Sequence, residues 1–108
     1  MAEADDLPLV LSELRDRLLP FCQTHGVARL EVFGSLARGE AQPGSDIDLL
    51  VTFRPEVRLG WDFFALQDEL ELTLGSKVDL LTRHSVEQDP NPIRRSSILE
   101  STRLLYAA

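Results

Sequence analysis

Phe33-Gly34-Ser35-Leu36-Ala37-Arg38-Gly39-Glu40-Ala41, followed by Ser45-Asp46-Ile47-Asp48-Leu49-Leu50-Val51, decides how this chain folds. An apolar strand runs into a Gly-Ser turn, a short polar segment follows, and a second apolar strand opens on two aspartates two residues apart. Strand side chains alternate faces, so Asp46 and Asp48 point the same way. Carboxylates so close repel each other, and burial sharpens the repulsion. A divalent cation neutralises both. Glycine lets a ligand come close to the backbone, and free N–H groups at a helix start attract phosphate. A Gly-Ser turn beside a carboxylate pair is therefore suited to hold phosphate and metal together, as phosphoryl or nucleotidyl transfer requires.

The flanking segments supply the frame. Leu7, Leu11, Leu14, Leu18 and Phe21 recur at helical spacing, which predicts a helix from Leu7 to about His25, with Pro8 in its first turn and Gly26 as its stop. Ala28 to Phe33 reads as the first strand, Ser35 to Gly39 as a short helix, and Ala41 to Ser45 as a loop marked by Pro43-Gly44. Asp46 to Phe53 is the second strand, with Ile47, Leu49, Val51 and Phe53 on one face. Trp61 to Leu74 is a second long helix stopped by Gly75. Lys77 to Thr82 is the third strand, with Val78 and Leu80 on one face and Lys77, Asp79 and Leu81 on the other. Arg83 to Asp89 is a loop or single turn. Asn91 and Pro92 open a final helix to about Glu100, and Leu104 to Tyr106 is a short closing strand.

Too little chain separates the first two strands for a crossover of about a dozen residues, so they should be antiparallel or splayed. The expected fold is α/β (α+β): a mixed sheet of three to four strands, helices mainly on one face, and one domain over residues 1–108.

Asp79 sits among apolar neighbours in the third strand. A carboxylate there is costly unless paired or metal-bound. If the third strand pairs with the second, Asp79 joins Asp46 and Asp48, and three acids can hold two metals for an in-line displacement. Asp79 is then also the natural general base. Lys77 shares its face and is the better cation for phosphate; Arg38 is the weaker. His25 at a helix end suits the dipole, His84 is a loop residue, Cys22 a packing residue, Trp61 a helix anchor and Arg94-Arg95 a surface pair.

The composition, 44% hydrophobic and 27% charged over 108 residues, is that of a soluble globular protein. No apolar run approaches the roughly 20 residues that span a bilayer, and the acidic start lacks the features of a signal peptide. One cysteine excludes an internal disulfide. These features predict a cytoplasmic protein. A net charge of −7 argues against binding long nucleic acids, which needs Lys and Arg on phosphates. It leaves room for a nucleoside triphosphate whose magnesium brings positive charge, and for a basic protein partner.

Gly34-Ser35-x-Ala37-Arg38-Gly39-x-Ala41 with Ser45-Asp46-Ile47-Asp48-Leu49-Leu50-Val51 resembles the signature of the minimal nucleotidyltransferases of the DNA polymerase beta superfamily. The resemblance covers Leu7 to Tyr106. It implies a polymerase-beta-like core in which Gly34 and Ser35 bind triphosphate and Asp46, Asp48 and Asp79 bind magnesium, with manganese as a substitute. The smallest, MntA-like members are implied to be antitoxins encoded beside a helical HEPN-class toxin, some transferring AMP from ATP to a tyrosine of that toxin. The resemblance thus implies a protein adenylyltransferase. A non-catalytic antitoxin that neutralises by binding, or a small-molecule transferase of the antibiotic-modifying type, are the alternatives. A last-helix patch around Ile93, Ile98 and Leu99 is the expected partner surface.

Overall fold

Four strands form one mixed sheet in the computed structural model, which describes residues 9–58, 60 and 62–108. The elements are α1 (Leu9–Thr24), β1 (Val27–Phe33), α2 (Gly34–Ala37), β2 (Ile47–Phe53), α3 (Asp62–Leu74), β3 (Val78–Thr82), α4 (Arg83–Glu87), α5 (Pro92–Leu99) and β4 (Arg103–Ala107). The expected helix start at Leu7 and Pro8, and the anchor Trp61, lie outside the described residues.

The sheet order is β3-β2-β1-β4. β1 is antiparallel to β2 and to β4, as the short connection between β1 and β2 requires. β2 and β3 are parallel, joined through α3. Their register sets Ile47 beside Val78, Asp48 beside Asp79 and Leu49 beside Leu80. The Ile47 N–H donates to the Lys77 carbonyl at 2.9 Å and ties the two strand entrances together. Asp46 and Lys77 thus stand one residue outside the strands that the sequence reading assigned to them.

Strand alternation builds two cores. Leu30, Val32, Leu49, Val51, Val78, Leu80 and Leu105 face α1 and α3, where they meet Leu11, Leu14, Leu18, Leu66 and Leu70. On the opposite face Phe33 and Leu50 pack with Val86 of α4, and Leu81, Ile98 and Leu99 close this smaller cluster. The long helices therefore cover one face, and two short ones cover part of the other. Arg83 to Glu87, expected as a loop or turn, is helical because Thr82 caps it, its side chain accepting from the Ser85 N–H at 3.1 Å. Asn91 caps α5 through the Ile93 and Arg94 N–H groups, with Pro92 in its first turn. The expected last-helix patch does not form. Ile98 and Leu99 turn inward onto the second cluster, and Ile93 alone is exposed, at 81%.

Candidate active site

Asp48 and Asp79 stand side by side on neighbouring strands, on the face that also carries Leu50 and Leu81. Adjacent strands lie about 4.8 Å apart, so carboxylates in one row are within strong mutual influence. Asp48 feels this most. Burial, then Asp79, then Asp46 push its carboxyl above the usual carboxylate range, against a smaller pull downward from Arg38. The acids that the sequence placed apart thus share one electrostatic site. Asp48 is half-buried, while Asp46 and Asp79 are exposed.

Gly34 forms the opposite wall. It opens α2 with φ +72°, a conformation that L side chains rarely adopt. A Cβ on it would collide with the Asp48 carboxylate oxygen Oδ2 and stand 3.2 Å from its Cγ. Glycine is needed here both for the turn and for room. Phe33, in the capping position, offers no side-chain oxygen to the first turn of α2. Ser35 is half-buried in that turn. The Arg38, Gly39 and Glu40 N–H groups return to the Gly34, Leu36 and Ser35 carbonyls and fold the segment tightly. A reciprocal Gln42–Ser45 turn then leads into Asp46: the Gln42 N–H donates to Ser45 Oγ, and the Ser45 N–H to the Gln42 carbonyl, both at 2.9 Å.

Among the described residues no group of three His, Cys, Asp or Glu side chains is placed to hold a metal ion. The Asp48–Asp79 row nonetheless offers hard oxygen donors to a cation that keeps its waters and takes its remaining ligands from substrate phosphates, which is how magnesium is commonly held. The donor set suits a metal that arrives with a triphosphate. A cleft of about 910 Å³ opens between α1 and the 41–46 loop, with Leu14, Arg17, Leu36, Pro43, Asp46 and Leu74 among its lining residues. It includes Asp46 but none of Gly34, Ser35, Asp48 or Asp79, so it adjoins the acid row without containing it.

Lys77 is exposed at the entrance to β3 and has no ion-pair partner among the described residues. Arg38 pairs with Glu40 at 3.0 Å. The remaining candidates are structural. His25 bridges to Glu69 of α3 at 3.1 Å, and Arg94 lies 3.5 Å from Asp89. The Cys22 thiol is buried, and desolvation pushes its pKa up to about 11, which keeps it inert.

Other residues near the site escaped the sequence reading. Glu31 in β1 is only 2% exposed and binds Arg83 at 2.8 Å. Glu71 Oε2 accepts from the Val78 N–H at 2.9 Å, and Gln67 Oε1 from the Leu80 N–H at 3.4 Å. The signal for the first was a lone acid in an apolar strand, with an unmatched Arg just after another strand. The other two carry no local signal, since polar residues on a helix are ordinary.

A family model described as a nucleotidyltransferase domain matches residues 13–105. The chain belongs to this nucleotidyltransferase family. The protein adenylyltransferase MntA of Thermococcus cleftensis is 41% identical over 75 residues, covering 69% of this chain and 68% of its own. A Methanocaldococcus jannaschii relative, which carries the adenylyltransferase name in provisional form, is 39% identical over 89 residues, or 82% of this chain and 90% of its own. The fold is also similar to a chain in the solved complex of a tri-AMPylated Shewanella oneidensis HEPN toxin with an MNT antitoxin. There the TM-score is 0.64 at 15% identity, over 91% of this chain and 73% of that one. The fold is that of a minimal nucleotidyltransferase, shared with a solved structure of one that is 37% identical at a TM-score of 0.65, over 87% of this chain and 91% of that one, and no helix among the described residues is long and apolar enough to cross a membrane.

Proposed function

We propose that this nucleotidyltransferase transfers AMP from ATP to a hydroxyl of a protein, the acceptor being a tyrosine of a HEPN-class toxin that the chain neutralises as antitoxin. The observation that carries the chemistry is the Asp48–Asp79 row facing Gly34. Gly34 and Ser35 would receive the triphosphate at the uncapped first turn of α2, with Lys77 near the strand entrance. The acceptor oxygen attacks the α-phosphorus, the bond to the β-phosphate oxygen breaks, and pyrophosphate leaves. The acceptor proton passes to the exposed Asp79 carboxylate. Magnesium, as two ions held by Asp46, Asp48 and Asp79 with the triphosphate, would supply charge neutralisation for this displacement.

A protein acceptor is favoured by the shape of the site. Asp46 and Asp79 are exposed, and the row lies outside the cleft, so a hydroxyl on a macromolecular surface can reach it. The relatives named protein adenylyltransferases and the HEPN toxin complex support the same acceptor class.

The test uses thermal unfolding and labelled ATP. ATP with magnesium should raise the unfolding temperature where ATP alone does not, and Asp46→Asn with Asp48→Asn should remove the rise. Incubation with the co-expressed toxin and α-labelled ATP should then label a toxin tyrosine, located by mass spectrometry. A parent protein that neutralises the toxin without labelling it would make the binding-only antitoxin the correct reading.

A further inference from the structure

We propose that Gln67 and Glu71 are positioning residues for the transfer reaction: they grip the two peptide N–H groups that flank Asp79 and so set its carboxylate level with Asp48. The proposal rests on the assignment of Asp79 to the site, and it adds residues that touch neither substrate nor metal.

Asp79 lies on β3, the edge strand of the order β3-β2-β1-β4. An edge strand is held by a ladder on one side only, which leaves its register and height the least constrained in the sheet. Alternate amides of a strand point to opposite edges. Val78 and Leu80 turn theirs outward, away from β2, and each meets a side chain of α3. Glu71 Oε2 takes the Val78 N–H at 2.9 Å, and Gln67 Oε1 takes the Leu80 N–H at 3.4 Å. The spacing matches. One helical turn from Gln67 to Glu71 advances roughly 6 Å, and two strand residues advance about 6.6 Å. The residue between the two gripped amides is Asp79. Its inner side is fixed by register with Asp48.

The grip is selective. β4 is the other edge of the same sheet, and among the described residues no side chain accepts from a β4 amide. A general need to cover edges would apply to both strands. The edge that is gripped is the one that carries a site carboxylate. α3 is itself anchored in the main core through Leu66, Leu70 and Leu74, so the grip refers Asp79 to a rigid element.

The test reads the metal site and the strand separately. In the variant Gln67→Leu/Glu71→Leu the amides of Val78, Asp79 and Leu80 should exchange faster by NMR while the circular dichroism spectrum is retained. Of the manganese ions titrated with AMP-PNP and followed by electron paramagnetic resonance, the one that depends on Asp79 should bind about 10–100-fold more weakly, the usual consequence of losing outer support for a ligand, while the nucleotide-bound ion at Asp46 and Asp48 is retained. The single variant Glu71→Gln keeps an acceptor oxygen, so it should restore most of the manganese affinity. If Gln67→Leu/Glu71→Leu does not fold, Gln67→Leu alone decides, with a smaller loss in the same direction. Parent-like manganese affinity in a folded leucine variant overturns the proposal and leaves the two residues as edge cover. A loss in Glu71→Gln as large as in the leucine variant overturns it too, because charge and not the hydrogen bond would then matter. Failure of the underlying assignment looks different: Asp79→Asn would then bind both manganese ions like the parent and transfer AMP at the parent's rate.

Discussion

Gly34 carries two constraints that any side chain violates together. Its φ of +72° disfavours L residues, and its missing Cβ leaves the space that the Asp48 carboxylate fills. Gly34→Ala should therefore lose about 1–2 kcal/mol from the backbone alone, and more from displacement of Asp48. Chemical denaturation measures the first effect, and loss of the ATP–magnesium thermal shift measures the second. Gly34→Val should show the same pattern more severely. Asp48 gives a pH-dependent prediction. Burial and the neighbouring Asp79 and Asp46 raise its pKa in the folded chain. A raised carboxyl pKa contributes stability that is fully present below the unfolded value, about 3.9, and is lost as pH rises through the folded value. Without metal, Asp48→Asn should then unfold at a higher temperature than the parent at neutral pH. The advantage should vanish as pH falls below the ordinary carboxylate range. Addition of ATP and magnesium should reverse the order, since only the parent gains. Identical pH profiles for parent and variant would show that Asp48 carries no burden from its neighbours.

At the scale of elements, β2 was legible because its alternation is clean: Ile47, Leu49, Val51 and Phe53 all reach the main core. The same alternation put Asp48 on the opposite face, beside Asp79 once β3 is parallel to β2. What remained hidden depends on residues far apart in sequence. Glu31 and Arg83 are 52 positions apart, so the lone acid of β1 does not reveal its partner in the local sequence. Ile98 and Leu99 looked free because the cluster they cover, Phe33, Leu50 and Val86, is assembled from three separate elements. The Glu31–Arg83 pair fastens the start of α4 across β2 to β1, and its hydrogen bond holds Arg83 more firmly protonated. Arg83→Ala leaves a buried carboxylate with the more distant Arg29, at 3.5 Å, as its remaining ion-pair partner among the described residues. Breaking such a pair costs about 3 kcal/mol. The double variant Glu31→Gln/Arg83→Ala should recover part of that loss, because it removes the stranded charge. Urea unfolding of both variants provides the comparison, and a double variant no more stable than Arg83→Ala alone would show that packing of the Arg83 stem dominates.

For the whole molecule the question is how an acidic chain of 108 residues with an open site separates holding a nucleotide from using it. Its net charge of −7 opposes a triphosphate at long range. Nucleotide binding should therefore depend on accompanying cations, and it should survive changes that spare the triphosphate contacts. Asp46 and Asp48 stand at the entrance of β2 beside the Gly-Ser turn, whereas Asp79 lies on the neighbouring edge strand. In the proposed function Asp79 acts on the acceptor more than on the nucleotide. Asp79→Asn should keep much of the ATP–magnesium thermal shift and should still co-purify with the toxin. Transfer of labelled AMP should fall by roughly 10²–10⁴-fold, the contribution of a positioned general base. Raising the pH does not supply the variant with a positioned base. It should speed Asp79→Asn only through ionisation of the acceptor hydroxyl, near the unperturbed tyrosine value of about 10. Transfer rates measured across that range for both proteins separate the two proton paths. Coincident profiles would place the base elsewhere than Asp79.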